Sequence, residues 1–347
     1  MVPGVVADGS FDMITIYEGP FLRGERSDQT AFISFTPQRT ITLSRFSLAR
    51  TEMTNAACAE ILTEAATRGE LTGTPLDSPP YLLWTPTPLP PREFIVADQA
   101  ISRFYWDGTA VRVYPGYEDF PVLGLTWQGA ALVCNWLSIR DGLEPAYTLT
   151  PTLSIHGFDI TCDFFADGYR LPTEAEWEKA ARGGLVLAGG ANPYPDRRYP
   201  WGNEDPRVEL AHGREGSVRA NVSVLWDTVH QQRGPIFSGA LPVGSFPLGA
   251  GPYGHLDLLG NAAEWCWDWV DLGYYSVSPT DDPEGADAST IFPTVNDWKA
   301  LRGDSWERAF IPRMDAYTSE EGCGKRRWAG YNYEAWDVGI RLARSER

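Results

Sequence analysis

Gly168-Tyr-Arg-Leu-Pro-Thr-Glu-Ala-Glu-Trp-Glu-Lys-Ala-Ala-Arg-Gly-Gly184 is the most legible stretch of the chain. Thr173 stands where a helix N-cap belongs, and Glu176 follows at the spacing of a capping box. Trp177, Ala180 and Ala181 fall at helical spacing and predict a buried stripe. Pro172 precedes the cap and Gly183-Gly184 supplies the stop. Two earlier helices read the same way. Thr54 caps the first, with Cys58, Ile61, Leu62 and Ala65 on one face and Gly69 at its end. The second runs from about Trp127 to Asp141, with Ala130, Val133, Cys134 and Leu137 aligned. Residues 13–48 alternate apolar and polar in places, notably Thr40-Ile-Thr-Leu-Ser-Arg-Phe-Ser-Leu48, which predicts strands of a small antiparallel sheet. Residues 72–121 are rich in proline, densest at Pro86-Thr-Pro-Leu-Pro-Pro91. Such a run is stiff and cannot join a sheet interior, so an irregular insertion packed on the surface is expected. After Gly184 the chain reads as loops and short strands. No linker divides it, so a single α+β domain with about three helices and low regular structure is expected.

Composition sets further bounds. The 347 residues include 14 Trp, 15 Tyr, 15 Phe, 27 Pro and 34 Gly. Many rings with many turn formers fit a loop-rich domain whose loops are pinned by aromatic side chains. A formal net charge of −17 argues against nucleic acid and anionic membranes as partners, because phosphate binding needs Lys and Arg clusters. Residues 1–12 hold no basic stretch leading into an apolar run, and no segment approaches a membrane span. A soluble, cytoplasmic protein is expected. Cys58, Cys134, Cys162, Cys266 and Cys323 are widely spaced, with no Cys-x-x-Cys pair, and His156, His212, His230 and His255 are scattered. Neither set has the spacing of a zinc or iron site.

Five segments carry a family resemblance when taken in order. Besides 168–184 they are Tyr199-Pro-Trp-Gly-Asn203, Asp257-Leu-Leu-Gly-Asn-Ala-Ala-Glu-Trp265, Leu301-Arg-Gly-Asp-Ser-Trp306 and Val338-Gly-Ile-Arg-Leu-Ala343. Together they resemble the formylglycine-generating enzyme, or sulfatase-modifying factor, family over nearly the whole chain from about Asp12. The resemblance implies a C-type-lectin-like fold that binds calcium. It also implies that Arg341 makes a buried structural pair.

Calcium takes six to eight oxygens, from carboxylates and main-chain carbonyls. Asp257 and Glu264 bracket a turn whose carbonyls at Gly260 and Ala262 can point inward. In the resembling family the four matching positions hold a calcium, usually with Asn at the first. The family's other calcium site begins at a position matched by Asn221 and Val222. Counting back from Leu241-Pro-Val243, its remaining ligands fall on Pro235 and Phe237, and proline offers no carboxylate. Asp227 could substitute in a rearranged loop. One calcium site is therefore expected, with the second incomplete.

The family's enzymes oxidise a substrate cysteine with oxygen, using two cysteines just after the segment matched here by Arg302-Gly-Asp-Ser-Trp306. Those thiolates hold copper(I), a soft ion. The matching positions fall near Arg308 and Arg313, so no copper and no oxidase activity of that type are expected. What remains is a C-terminal set of rings and cations. Trp306, Arg308, Phe310, Arg313, Trp328, Tyr331, Tyr333 and Trp336 are of the residue types that dominate interfaces, although about half the rings could equally serve as core. A protein or peptide ligand at these loops is the expected partner. Variable proteins of diversity-generating retroelements use this fold as a binding scaffold and also lack the oxidase cysteines. The alternatives are an enzyme of different chemistry, with Glu307, Asp304 and Glu320 as acid/base candidates and Arg308 as anion clamp, or a maturation factor for another protein.

Overall fold

Three of the helices begin on a threonine whose hydroxyl accepts an otherwise orphaned N–H. Thr54 accepts from Ala57 at the head of α1 (Asn55–Thr67). Thr126 accepts from Gly129 at the head of α2 (Trp127–Arg140). Thr173 accepts from Glu176 at the head of α3 (Glu174–Arg182), and the Glu176 carboxylate accepts the Thr173 N–H in return, completing the expected capping box. Each cap of this kind is worth about 1 kcal/mol. A single turn, α4 (Tyr274–Val277), adds a fourth helix among the described residues. The computed structural model describes residues 11–25, 36–73, 81–84, 92–96, 102–151, 158–204, 207–210, 214–217, 219–221, 223–224, 239–286, 298–306, 309–310, 322–330 and 336–346.

Two four-stranded sheets organise the chain. The first has the order Met13–Ile16, Phe46–Ala49, Ala343–Ser345, Tyr169–Arg170, all antiparallel, so early, middle and late segments share one ladder. The second has the order Arg327–Gly330, Trp298–Arg302, Ala263–Trp269, Val338–Gly339. Its last pair is parallel and the others antiparallel. The remaining strands form two- and three-stranded ribbons, among them the hairpin of Gly19–Arg23 with Arg39–Leu43. This is the mixed α/β architecture of small sheets that the sequence suggests.

Apolar burial is concentrated in two clusters. One joins the inner faces of α1 and α2 to Trp265, Val338, Ile340 and Leu342. The other centres on Trp177 of α3 against Phe21, Ile41, Phe46, Leu48 and Cys266. Helix α3 is buried on all sides, including the charged face that periodicity would leave in water. Its charges are paired instead. Arg170 makes two hydrogen bonds to Glu176, Glu178 accepts from Arg182 and Arg302, and Glu174 accepts from Arg326.

The segment 72–121 departs from the expectation of an irregular surface insertion. Leu71–Gly73, Tyr81–Trp84 and Arg92–Val96 form an antiparallel ribbon, and Phe104–Trp106 pairs with Val111–Val113. Phe104 and Val111 are buried in the core beside α1. Two apolar residues at alternating positions of a hairpin place one side chain from each strand on the same inner face. The run Pro86–Pro91 lies outside the described residues. No helix among the described residues is long and apolar enough to cross a membrane.

Candidate functional site

The turn from Asp257 to Glu264 is held in an uncommon backbone conformation. Asp257, Gly260 and Asn261 all have positive φ, at 56°, 81° and 63°. For residues other than glycine this costs of order 1 kcal/mol and persists only where the surroundings impose it. Here they do. The Gly260 N–H donates to the Gly303 carbonyl, and the Trp306 N–H donates to the Asn261 carbonyl. Two segments far apart in sequence, 257–264 and 301–306, are thus tied directly together. The Asn261 side chain accepts from the Leu241 N–H and from the Asn221 amide, while the Asn221 carbonyl accepts the Asn261 N–H. The Asn221 amide also donates to the Gly239 carbonyl. Asn221, a candidate ligand of the second calcium site, therefore clasps the loops around Asn261. Val222 lies outside the described residues.

Beneath this turn sits a buried cluster of carboxylates. Glu264 is the second residue of the strand Ala263–Trp269 and is fully buried. Its oxygens accept from Arg341 Nη2 at 2.7 Å and from Trp177 Nε1 at 2.7 Å. Arg341, as expected, forms a buried structural pair, and it also donates to the carbonyls of Ala49 and Leu256. Asp257 accepts from the Gly244 N–H. Glu52 was not singled out by sequence reasoning. Its Oε1 accepts from the Ala262 N–H, and its buried Oε2 has no partner among the described residues. Burial, then the nearby Asp257, pushes Glu52 well above the usual carboxylate range, and burial also pushes Asp257 up. Three carboxylates thus face one guanidinium in a site that excludes water. Gly260 and Ala262 lie in the same turn, both buried. Among the described residues no three His, Cys, Asp or Glu side chains form a metal cage, so a cation here would take main-chain oxygens as well as carboxylates. The signal for Glu52 was in Ala49-Arg-Thr-Glu-Met-Thr-Asn55, the entry to α1.

A cavity of about 100 Å³ opens beside this turn, lined by Arg103, Phe120, Pro121, Leu123, Gly239, Ala240, Trp306 and Trp336. It brings together two of the C-terminal residues expected to bind ligand, Trp306 and Trp336. Trp328 does not line it. That ring stacks on Trp298 instead, with centroids 5.8 Å apart and planes at 17°. Trp298, Trp328 and Trp336 are 36%, 38% and 53% exposed, so none of the three is core. Arg308, Arg313, Tyr331, Tyr333 and the Phe310 side chain lie outside the described residues, as do Glu307 and Glu320. Asp304, another acid/base candidate, has φ 57° and pairs with Arg327, which also bonds Asp337. Its carboxylate already has a structural role. Arg103 and residues 120–123 were missed because they fall in or beside the segment read as an insertion.

Among the described residues no cysteine lines this cavity. Burial pushes the Cys162 and Cys323 thiols up to about 12, so both remain protonated at neutral pH.

Residues 7–346 match the family model of the sulfatase-modifying factor enzyme 1-like domain. The chain is 28% identical over 198 residues to the serine/threonine-protein kinase pkn1 of Chlamydia caviae, a match covering 56% of this chain and 20% of that protein. It is 41% identical over 128 residues to the formylglycine-generating enzyme of Thermomonospora curvata, covering 35% of this chain and 36% of the enzyme. The chain therefore spans only a fifth to about a third of the length of these curated relatives. Treponema denticola variable protein 1 superposes with a TM-score of 0.58 at 23% identity, over 96% of this chain and 95% of that one, and so shares the fold. With a family match running over nearly its whole length, the chain belongs to the sulfatase-modifying factor family.

Proposed function

We propose that this chain is a non-oxidase member of its family. It binds a protein or peptide ligand at the face carrying its C-terminal loops, on a scaffold stabilised by calcium. The observation that carries this reading is the cavity between Trp306 and Trp336. Among the described residues its lining combines the apolar Phe120, Pro121 and Leu123 with Trp306, Trp336 and Arg103. Rings around a small concave pocket form the kind of anchor point at which binding energy concentrates. The positions expected to match the oxidase cysteines fall near Arg308 and Arg313, with no thiol among residues 307–313, and arginine cannot hold copper(I). The fold shared with Treponema denticola variable protein 1 supports one specific version, in which the surface around Trp306 and Trp336 is a diversified binding face. The net charge of −17 favours a protein partner over nucleic acid or an anionic membrane. A cytoplasmic setting fits the five free thiols.

Calcium fits the carboxylate cluster. Asp257 and Glu264 with the carbonyls of Gly260 and Ala262 would hold it, and the orphaned oxygen of Glu52 marks the side from which charge compensation is lacking. The ion would supply the positive charge that Arg341 alone does not. A second ion at Asn221 and Val222 is not part of the proposal, because the site's remaining ligands would fall on Pro235 and Phe237, and proline offers no carboxylate.

Two experiments test this reading. Copper-loaded protein incubated with oxygen and a cysteine-containing peptide is expected to form no aldehyde, and turnover would refute the non-oxidase assignment. A displayed random-peptide library is expected to yield sequences that the wild type retains and Trp336→Ala loses. Recovery of the same sequences by both proteins would place binding elsewhere. A reverse transcriptase gene beside a template copy of the C-terminal segment would establish the diversified version.

A further inference from the structure

The sheet that contains Glu264 has an open side. Its order places Arg327–Gly330 at one edge, paired only with Trp298–Arg302. The register sets Trp298 opposite Gly330, Lys299 opposite Ala329, Ala300 opposite Trp328 and Leu301 opposite Arg327. On the inner side the Trp298 carbonyl accepts from the Val270 N–H. Successive residues of an antiparallel strand turn their main-chain groups to alternate sides. Trp298 and Ala300 therefore face Ala263–Trp269, and Lys299 faces Ala329. It follows that the N–H and C=O of Trp328 and Gly330 point away from the sheet. Among the described residues nothing pairs with them. Neither residue is buried.

Open edges invite pairing, and soluble proteins guard them with lysine, proline or a bulge. This edge has none of the three. Its register with Trp298–Arg302 is unbroken, and the Arg327 side chain is tied to Asp304 and Asp337. Its most exposed residue is Trp328, stacked on the half-exposed Trp298. In an added strand, the residue opposite Trp328 projects from the same face of the sheet as that ring. The stacked pair is thus a flat apolar ledge beside unpaired main-chain groups. A second copy of this chain could supply the missing strand, but two copies of net charge −17 repel each other. The charge favours a foreign segment.

Resting on the peptide-binding reading above, we propose that the peptide ligand binds as an added strand along the outer side of Arg327–Gly330. Its main chain exchanges hydrogen bonds with Trp328 and Gly330. Its residue opposite Trp328 is aromatic or β-branched and packs against the Trp298–Trp328 pair. Affinity then comes from the main chain, and selectivity from every second side chain.

The test uses the full chain and dodecapeptides selected on it from a displayed random library, then synthesised. N-methylation at every second residue of a selected peptide is expected to weaken binding about tenfold or more, the scale of a lost main-chain bond, and at the intervening residues less than about twofold. On saturation, amide exchange is expected to slow about tenfold or more at Trp328 and Gly330 and to change little at Ala329, which is already paired with Lys299. Gly330→Pro removes an outward N–H at a position where an edge strand tolerates proline, and is expected to weaken the selected peptides about tenfold. Trp328→Thr, which keeps the main-chain groups and removes the ring, is expected to weaken them as well, and it serves if the proline variant does not fold. Methylation effects without alternation, or unchanged exchange at Trp328 and Gly330, would overturn the proposal. A dimer in sedimentation that Gly330→Pro dissolves would overturn it too, by giving the edge to a second copy. Selected peptides that depend on Trp336 but show no alternation would remove strand addition and leave the peptide-binding face intact. Failure to select any peptide would remove both.

Discussion

Arg341 and Glu264 meet 2.7 Å apart with both side chains fully buried, and together they join three segments of the chain. The guanidinium also holds the carbonyls of Ala49 and Leu256, and the carboxylate also accepts from Trp177 of α3. The motif that returns the C-terminus to the fold is thereby locked to the turn proposed to bind calcium. Removing one partner of a buried pair leaves the other's charge uncompensated, at a cost of about 3–5 kcal/mol. Arg341→Met is therefore expected to lower the stability measured by urea unfolding by that amount. A loss below about 1 kcal/mol, the range of an exposed pair, would show that the pair carries little of the fold.

Calcium is expected to raise the melting temperature, and chelation to lower it, because a ligand that binds only the folded state stabilises it by mass action. At a hundredfold excess over the dissociation constant the gain is about 2.7 kcal/mol. Glu52→Gln is expected to reduce the gain, since it removes one of the three carboxylates around the turn. Identical melting curves in calcium and in chelator, with no calcium by elemental analysis, would remove the ion from the account.

Asp268 links stability to pH. Burial, then the neighbouring Glu174, raises its carboxyl from 3.8 to about 7. The folded state therefore keeps a proton that the unfolded chain has released anywhere between those values. Stability from this group is fully present below about pH 4 and is lost as pH rises toward 7. Asp268 Oδ2 accepts the Glu174 N–H at the start of α3, while Oδ1 has no partner among the described residues. Asp268→Asn keeps an acceptor for that N–H and cannot ionise. Its stability should vary less between pH 4 and 7 than the wild type's, as read from urea midpoints across the range. Parallel profiles for the two proteins would contradict the assignment.

Gly303 sits at φ 87°, and a Cβ there would lie 3.2 Å from Trp177 Cζ2 and 3.3 Å from the Leu258 carbonyl. Gly303→Ala combines backbone strain with a tight contact against a buried ring and is expected to cost about 1–3 kcal/mol. Because the Gly303 carbonyl accepts from Gly260, the variant should also weaken any calcium stabilisation. A melting temperature within a degree of wild type would show that the turn yields readily.

Much of this was legible because it is local. The threonine caps, the capping box at Thr173 and Glu176, and the stripe of Trp177, Ala180 and Ala181 depend on residues within one or two turns of helix. The five ordered motifs likewise mark the points where distant segments must meet. The role of 72–121 was not legible. Whether Phe104 and Val111 decorate the surface or fill the core depends on what lies opposite them, and α1 is some forty residues away in sequence.

The amino-acid sequence alone determined the family and the helices. Only the tertiary structure decided that Glu52 joins Asp257 and Glu264, that Trp306 and Trp336 share a cavity with Arg103 while Trp328 does not, and that the charged face of α3 is buried. Propensity and capping act between near neighbours and leave their mark in consecutive letters. Burial of a charge or shaping of a cavity is set by segments brought together across the chain, and no local pattern records which ones will meet.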